Sequence, residues 1–225
     1  MKLIWCPEIA AKAYLDTVKF CGLSMEPGAP ELISAMAGGW NAKLIVEART
    51  NIGGAAALKC SAGLAIAAHH SGGRHVCILA DEKSREEYIC AMKNTSSNKD
   101  EPLPEMMVGE PEELMKKLNG IDFLVVDGIC NDFGKRVFSF AKFSHLGAVL
   151  ISKNASKKTF SWFRWNEVVG SAVCVVKSMV LPIGNGLNVA HIAGENRINS
   201  GKLFGPKRWI RYTDQNSGEE HVFRR

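Results

Sequence analysis

Three acidic residues each close an apolar run: Glu47 after Leu44-Ile45-Val46, Asp81 after Val76-Cys77-Ile78-Leu79-Ala80, and Asp127 after Phe123-Leu124-Val125-Val126. A carboxylate beyond the carboxyl end of a buried strand can accept hydrogen bonds from a ribose or hold a cationic group. Taken singly, such an acid reads as a helix cap or as the partner of a Lys or Arg. Taken together along one sheet edge, the three predict one pocket.

The apolar runs themselves define the elements that carry these acids. Continuous β-branched and apolar stretches read as strands buried on both faces, and so as a parallel sheet. A helix is expected from Pro7, with Glu8 at its positive end and Gly22 as its stop, and a second from Pro30 to Ala37. Small residues around Ser61-Ala62-Gly63-Leu64 predict a helix lying close on the sheet, and Lys83 to Met92 an amphipathic one. Met106-Met107-Val108 reads as a short strand, Pro111 to Leu118 and Gly134 to Phe143 as helices, and Ala148-Val149-Leu150-Ile151 as a strand. Lys153 to Trp165 reads as a basic, aromatic surface loop. Two strands around Asn185-Gly186 predict an antiparallel hairpin, and a second is expected between Arg208 and Phe223. The chain reads as one α/β domain over residues 1–225, with N-terminal helices at about 7–37 and a basic C-terminal hairpin at about 205–225.

Composition narrows the function classes. The chain has 225 residues, 46% of them hydrophobic, enough for one sizeable core. No apolar stretch is long enough to span a bilayer, and no signal-peptide core precedes Pro7. The seven cysteines stand singly at 6, 21, 60, 77, 90, 130 and 174, with no CxxC pair. They read as reduced packing residues of a cytoplasmic or nuclear protein, without a disulfide framework or zinc site. The net charge of +5 is mild, although six Lys/Arg against three acids follow from Lys202 onward. The paired His69-His70 and the single His145, His191 and His221 read as structural residues.

This order of elements, alternating strands and helices closed by a hairpin, resembles the class I S-adenosylmethionine-dependent methyltransferases. Asp122-Phe123-Leu124-Val125-Val126-Asp127 and Leu181-Pro182-Ile183-Gly184-Asn185-Gly186-Leu187 resemble the caffeoyl-CoA O-methyltransferase group in particular. Ile33 to Glu47 and Trp209 to Arg225 resemble a plant family of uncharacterised proteins, which implies a fold and no particular activity. The resemblance implies a Rossmann-like methyltransferase fold with a mostly parallel sheet, helices on both faces and an antiparallel C-terminal hairpin. It also implies S-adenosylmethionine as cofactor. Glu47 would then open the glycine-rich loop, with either Gly53-Gly54 or Ser61 and Gly63 beside the methionine half. Asp81 would bind the ribose, Gly109-Glu110 would form the adenine-side turn, and Asp127 would close the cofactor pocket.

Two departures bear on catalysis. The glycine expected two residues after the first acid is Arg49. In the metal-dependent relatives a divalent cation is held by the Asp after strand four and an Asp-Asn pair after strand five. Here Asp127 is kept, but the pair reads Lys153-Asn154, and the expected lysine base is Cys130. An ammonium repels a cation, so no metal is expected, and Lys153 is expected to supply the missing charge beside Asp127, with Asn154 as third member. Three readings follow. The first is a metal-independent methyltransferase of a small molecule. The second is a non-catalytic binding or regulatory protein on the same fold, with Arg49 and Lys153 favouring an anionic ligand. The third is a nucleic-acid-associated protein using Lys153, Lys157, Lys158, Arg164 and the C-terminal cations, with Trp162 and Trp165 stacking on bases.

Overall fold

A computed structural model describes residues 5–22, 28–49, 55–95, 103–127, 132–154, 164–170 and 173–194, and the backbone of 209–213 and 220–224. The helices are α1 (Pro7–Cys21), α2 (Ala29–Gly39), α3 (Ala55–Ser71), α4 (Glu82–Thr95), α5 (Pro111–Lys117), α6 (Asp132–Phe140) and α7 (Trp165–Val169). The strands are β1 (Leu44–Arg49), β2 (Arg74–Leu79), β3 (Glu105–Val108), β4 (Phe123–Asp127), β5 (Gly147–Lys153), β6 (Val175–Leu181), β7 (Leu187–Ala193), β8 (Trp209–Thr213) and β9 (Glu220–Arg224). Seven strands form one sheet in the order β3-β2-β1-β4-β5-β7-β6; β8 and β9 pair as a separate hairpin.

The expected α/β architecture is present. Strands β1 to β5 run parallel, and β7 and β6 close the sheet antiparallel. Both faces are covered, which is why the central strands are apolar on both sides. One core cluster joins alternate residues of β1 and β4, such as Val46 and Leu124, to α5, α6 and α7. A second joins the intervening residues, such as Ile45 and Val125, to α2 and α3. Parallel neighbours in register point the same way, so one residue type repeats across the sheet on each face.

The side facing α3 is the crowded one. Gly63 lets α3 approach the helices outside it: a Cβ there would meet the Pro30 carbonyl oxygen at 3.0 Å. Thr17 of α1 and Ser34 of α2 hydrogen-bond at 2.9 Å inside this contact. Both hydroxyls reach the Ala13 carbonyl, so no polar group there lacks a partner. This packing presses α3 onto the sheet and seals what lies between them.

Several boundaries differ from the sequence expectation. Arg49 and Lys153 are not loop residues; they are the last residues of β1 and β5. Strand β2 ends at Leu79, so Asp81 stands two residues beyond it. The segment expected as a basic aromatic loop ends at the first residue of α7, Trp165, a helix too short for its period to be read. Trp165 is 5% exposed, packs edge-on against Phe138 and donates Nε1–H to Asn188 at 2.8 Å. It is a core residue, which corrects its expected role in stacking on bases. Lys157, Lys158 and Trp162 lie outside the described residues.

Asp122 braces the centre of the sheet. Its carboxylate accepts the backbone N–H groups of Lys43 at 2.8 Å and Leu44 at 3.1 Å, tying the start of β1 to β4. We predict that Asp122→Ala lowers stability by about 1–3 kcal/mol, because two amides lose a charged acceptor. Urea unfolding checks this; a loss below about 0.5 kcal/mol would contradict it.

Candidate functional site

Glu47 lies in the middle of β1 and its side chain is completely buried. Strand alternation turns it toward α3, with Arg49 two residues on. Ser61 of α3 donates its hydroxyl to Glu47 Oε2 at 2.5 Å and shares a hydrogen bond with the Tyr88 hydroxyl of α4. Arg49 Nη1 lies 3.5 Å from Glu47 Oε1, and Lys153 Nζ reaches the same oxygen at 3.5 Å. His75 Nε2 stands 3.6 Å from Oε2. Four elements thus surround one carboxylate.

Lys153 extends this cluster toward the carboxyl ends of the strands. It pairs in register with Asp127 across β4 and β5, and its Nζ lies 3.4 Å from Asp127 Oδ2. Asn154, with φ +57° just past β5, donates Nδ2–H to Asp127 Oδ1. Asn185 of the β6–β7 turn donates to Asn154 Oδ1 at 3.2 Å. The expected convergence of Asp127, Lys153 and Asn154 is therefore present in geometry. The two carboxylates, Glu47 and Asp127, are matched by two cations, Arg49 and Lys153.

Burial and charge compete on every member. Burial alone pushes the Glu47 carboxyl up, but Arg49, His75 and Lys153 together hold it well below the usual carboxylate range. Burial pulls Lys153 down, and Glu47 and Asp127 reverse this, so its ammonium is retained above its ordinary range. Arg49 is likewise held charged against desolvation, chiefly by Glu47. The thiols have no such support: burial raises Cys60 to about 11 and Cys77 well above its ordinary value, so both stay protonated. Neither is an activated nucleophile.

The departure at Arg49 is absorbed inside the protein. Its side chain is buried beneath α3, donating to the Ala57 carbonyl at 3.3 Å, with the guanidinium 5.5 Å from the Tyr88 ring centre. A large residue where the resemblance implies a glycine is thus packed under the helix. Gly53, Gly54 and Cys130 lie outside the described residues.

The other expected residues are separate from this cluster. Asp81 Oδ1 accepts the Ser84 N–H at 2.7 Å and caps α4; that amide holds its carboxyl below the usual range. The side chain is otherwise at the surface. Gly109, at φ +138°, donates its N–H to the Leu79 carbonyl at 3.1 Å, which ties the end of β3 to β2. Glu110 pairs with Arg136 of α6 at 2.5 Å. Sequence reasoning missed His75 and Tyr88; a lone histidine opening an apolar run was the signal available.

A parallel sheet in this order with an antiparallel terminal pair is the Rossmann-like methyltransferase architecture. The chain belongs to the family described as "Protein of unknown function (DUF1442)", whose model matches residues 1–225. Solved structures share the fold at low identity. A methyltransferase from Geobacter sulfurreducens aligns with TM-score 0.52 and 17% identity over 81% of this chain and 88% of its own. A candidate caffeoyl-CoA O-methyltransferase from Staphylococcus aureus gives 0.51 and 16% over 80% and 90%. A Podospora anserina methyltransferase bound to S-adenosylhomocysteine gives 0.50 and 13% over 85% and 89%. No curated protein matches the chain. No helix among the described residues is long and apolar enough to cross a membrane.

Lys153 is the residue on which the cluster's charge balance turns. We predict that Lys153→Met lowers stability at neutral pH by about 3–5 kcal/mol, since it leaves buried carboxylate charge uncompensated. Glu47 is depressed in the folded state, so its contribution is present above about pH 4.3 and is lost as pH falls toward the folded value. With a cation removed, the acid-unfolding midpoint should move to higher pH. An unchanged midpoint, followed by circular dichroism, would contradict this electrostatic account.

Proposed function

We propose that this protein binds S-adenosylmethionine beyond the carboxyl ends of β1, β2 and β3 and methylates a small molecule without a divalent cation. The observation that carries the reading is the position of Lys153. Its ammonium stands 3.4 Å from Asp127, whose other oxygen is bonded by Asn154. The resemblance to the caffeoyl-CoA-type enzymes places a cation's ligands at these positions. Here a charge fixed to the chain sits among them, and the described residues hold no group of three His, Cys, Asp or Glu fit for a metal.

The residues present fit the adenosine half of the cofactor. Asp81 keeps a surface carboxylate oxygen beside the α4 cap, suited to accept ribose hydroxyls. Gly109 lends a turn free of side chain at the end of β3, suited to an adenine edge. Bound there, S-adenosylmethionine supplies an electrophilic methyl group. Asp127 and Lys153 lie where an acceptor oxygen would be oriented. The Lys153 ammonium is sealed from solvent beside Asp127 and cannot chelate two such oxygens as a divalent ion does, so catechol-type chemistry is not expected. Glu47 has a changed role: sealed from solvent, it anchors Lys153 and Arg49 and is not a direct cofactor ligand.

Arg49 is the specific observation that favours a second reading, a non-catalytic ligand-binding protein on this fold. Calorimetry separates the two. We expect S-adenosylmethionine and S-adenosylhomocysteine to bind with Kd at or below about 100 µM. Asp81→Ser keeps a helix cap while removing the charge, and should weaken binding about tenfold or more. No binding at millimolar cofactor would overturn the methyltransferase reading.

Charge replacement has its own test. Lys153→Asp recreates a carboxylate pair beside Asn154, and should gain Mg²⁺ affinity in the millimolar range or better, roughly −4 kcal/mol. A folded Lys153→Asp protein indifferent to Mg²⁺ would leave Lys153 without the proposed role.

A further inference from the structure

A cavity of about 310 Å³ opens beside the first residues of β2 and β3, at the end of the sheet opposite the strand-end acids. Ala65 and Ala68 of α3 line one side, and Leu103 and Pro104, just ahead of β3, line another. His75 also lines it, with a side chain only 3% exposed. Neither of its ring nitrogens has a hydrogen-bond partner among the described residues. Nε2 faces Glu47 Oε2 at 3.6 Å, and Glu47 is not part of the cavity wall. The imidazole therefore stands between a sealed carboxylate and an open space. A buried ring nitrogen left unpaired beside such a space points to an occupant.

The walls select the occupant's chemistry. Among the described residues one acid lines the cavity, Glu105, and Arg74 pairs with it at 2.6 Å. That pair carries no net charge and leaves no free carboxylate for a cation. The remaining titratable side chains of the wall are His69 of α3 and His75, and a protonated imidazole donates from both nitrogens. They complement an anionic head. Water would serve the imidazoles but would also cover the four apolar residues, which favours an apolar body. The volume matches the smaller of the usual small-molecule sites.

We propose that this cavity binds a small monocarboxylate with an apolar body. The carboxylate accepts Nδ1–H of His75, with the exposed His69 adding a second imidazole at the mouth. The body lies against Ala65, Ala68, Leu103 and Pro104. His75 then bridges two carboxylates, its Nε2–H directed at Glu47. Without the ligand its second proton is poorly matched, because Glu47 already serves Arg49, Lys153 and Ser61. The ligand supplies the missing negative charge, so ligand and proton enter together. This site is distinct from the strand ends where the cofactor is proposed, and it stands whether or not S-adenosylmethionine binds.

Benzoate is the probe. Titrated into the full chain labelled at histidine nitrogens and alanine methyls, it should shift the resonances of His75, Ala65 and Ala68 saturably, with Kd of about 1 mM or tighter. Both ring nitrogens of His75 should be protonated in the complex. Benzamide, which lacks the charge, and inorganic phosphate, which lacks the apolar body, should bind about tenfold more weakly or worse. His75→Phe keeps a ring and removes the nitrogens, and should weaken benzoate about tenfold or more. Leu103→Asp changes a residue 42% exposed at the rim, so it should fold as wild type while its carboxylate weakens benzoate about tenfold or more. No saturable shift at about 20 mM benzoate, roughly twenty times the expected Kd, would overturn the inference. So would benzamide or phosphate binding as tightly as benzoate, or benzoate affinity unchanged by Leu103→Asp.

Discussion

The layer between the sheet and α3 depends on one constraint: a carboxylate sealed from water must stay ionised. Moving an isolated carboxylate into such a place costs several kcal/mol, and the cost is offset only by nearby cations and hydrogen-bond donors. Glu47 has both, in Arg49, Lys153 and Ser61. Each cation is kept charged in turn chiefly by Glu47, with Asp127 and the face of Tyr88 beside it among the described residues. Removing any member therefore exposes the others, and the strands and α3 are held to one register by electrostatics as well as by packing. The same constraint explains why β1 and β5 run on to Arg49 and Lys153. A strand extended by one more inward-facing residue delivers a cation that a loop would leave in solvent.

Much of this fold can be read along the chain. Apolar runs ending in acids mark β1, β2 and β4, Pro7 and Gly22 bracket α1, and Asn185-Gly186 marks the turn before β7. The site is harder to read because its key residues satisfy two patterns at once. Lys153 looks like the start of a basic loop until alternation is followed through Val149, Ile151 and Lys153, which share the face toward α3. Asp81 looks like a strand-end acid, yet two residues of bend put its oxygen on the first turn of α4. His75 opens an apolar run as if it were a polar edge residue, and only the parallel register with Ile45 turns it inward beside Glu47. Trp165 carries a surface label from its basic neighbours, but five residues of helix are enough to bury it. In each case the missing information is which face a residue takes, and that is settled by partners far away in sequence.

Replacing an exchangeable cation with a lysine changes what such a site can do. A divalent ion brings coordination geometry, the ability to grip two oxygens and a strong pull on a hydroxyl proton. An ammonium brings one positive charge, a few hydrogen bonds and permanence. On the proposed function, the pocket would be insensitive to metal supply and would lose chelation as a source of specificity. The charge of Lys153 is balanced from behind by Glu47, which Ser61 and Tyr88 support. That is how one fold can keep its strand-end acids while changing the chemistry available at them.

The central claim is that Lys153 holds the position of the cation while the cofactor binds above the strand ends. A crystal structure of the protein grown with S-adenosylhomocysteine and millimolar Mg²⁺ tests it most directly. The account predicts the nucleoside beside Asp81 and Gly109, Lys153 Nζ within about 3.5 Å of Asp127, and no cation between them. A Mg²⁺ ion about 2.1 Å from Asp127 with Lys153 turned away would contradict it.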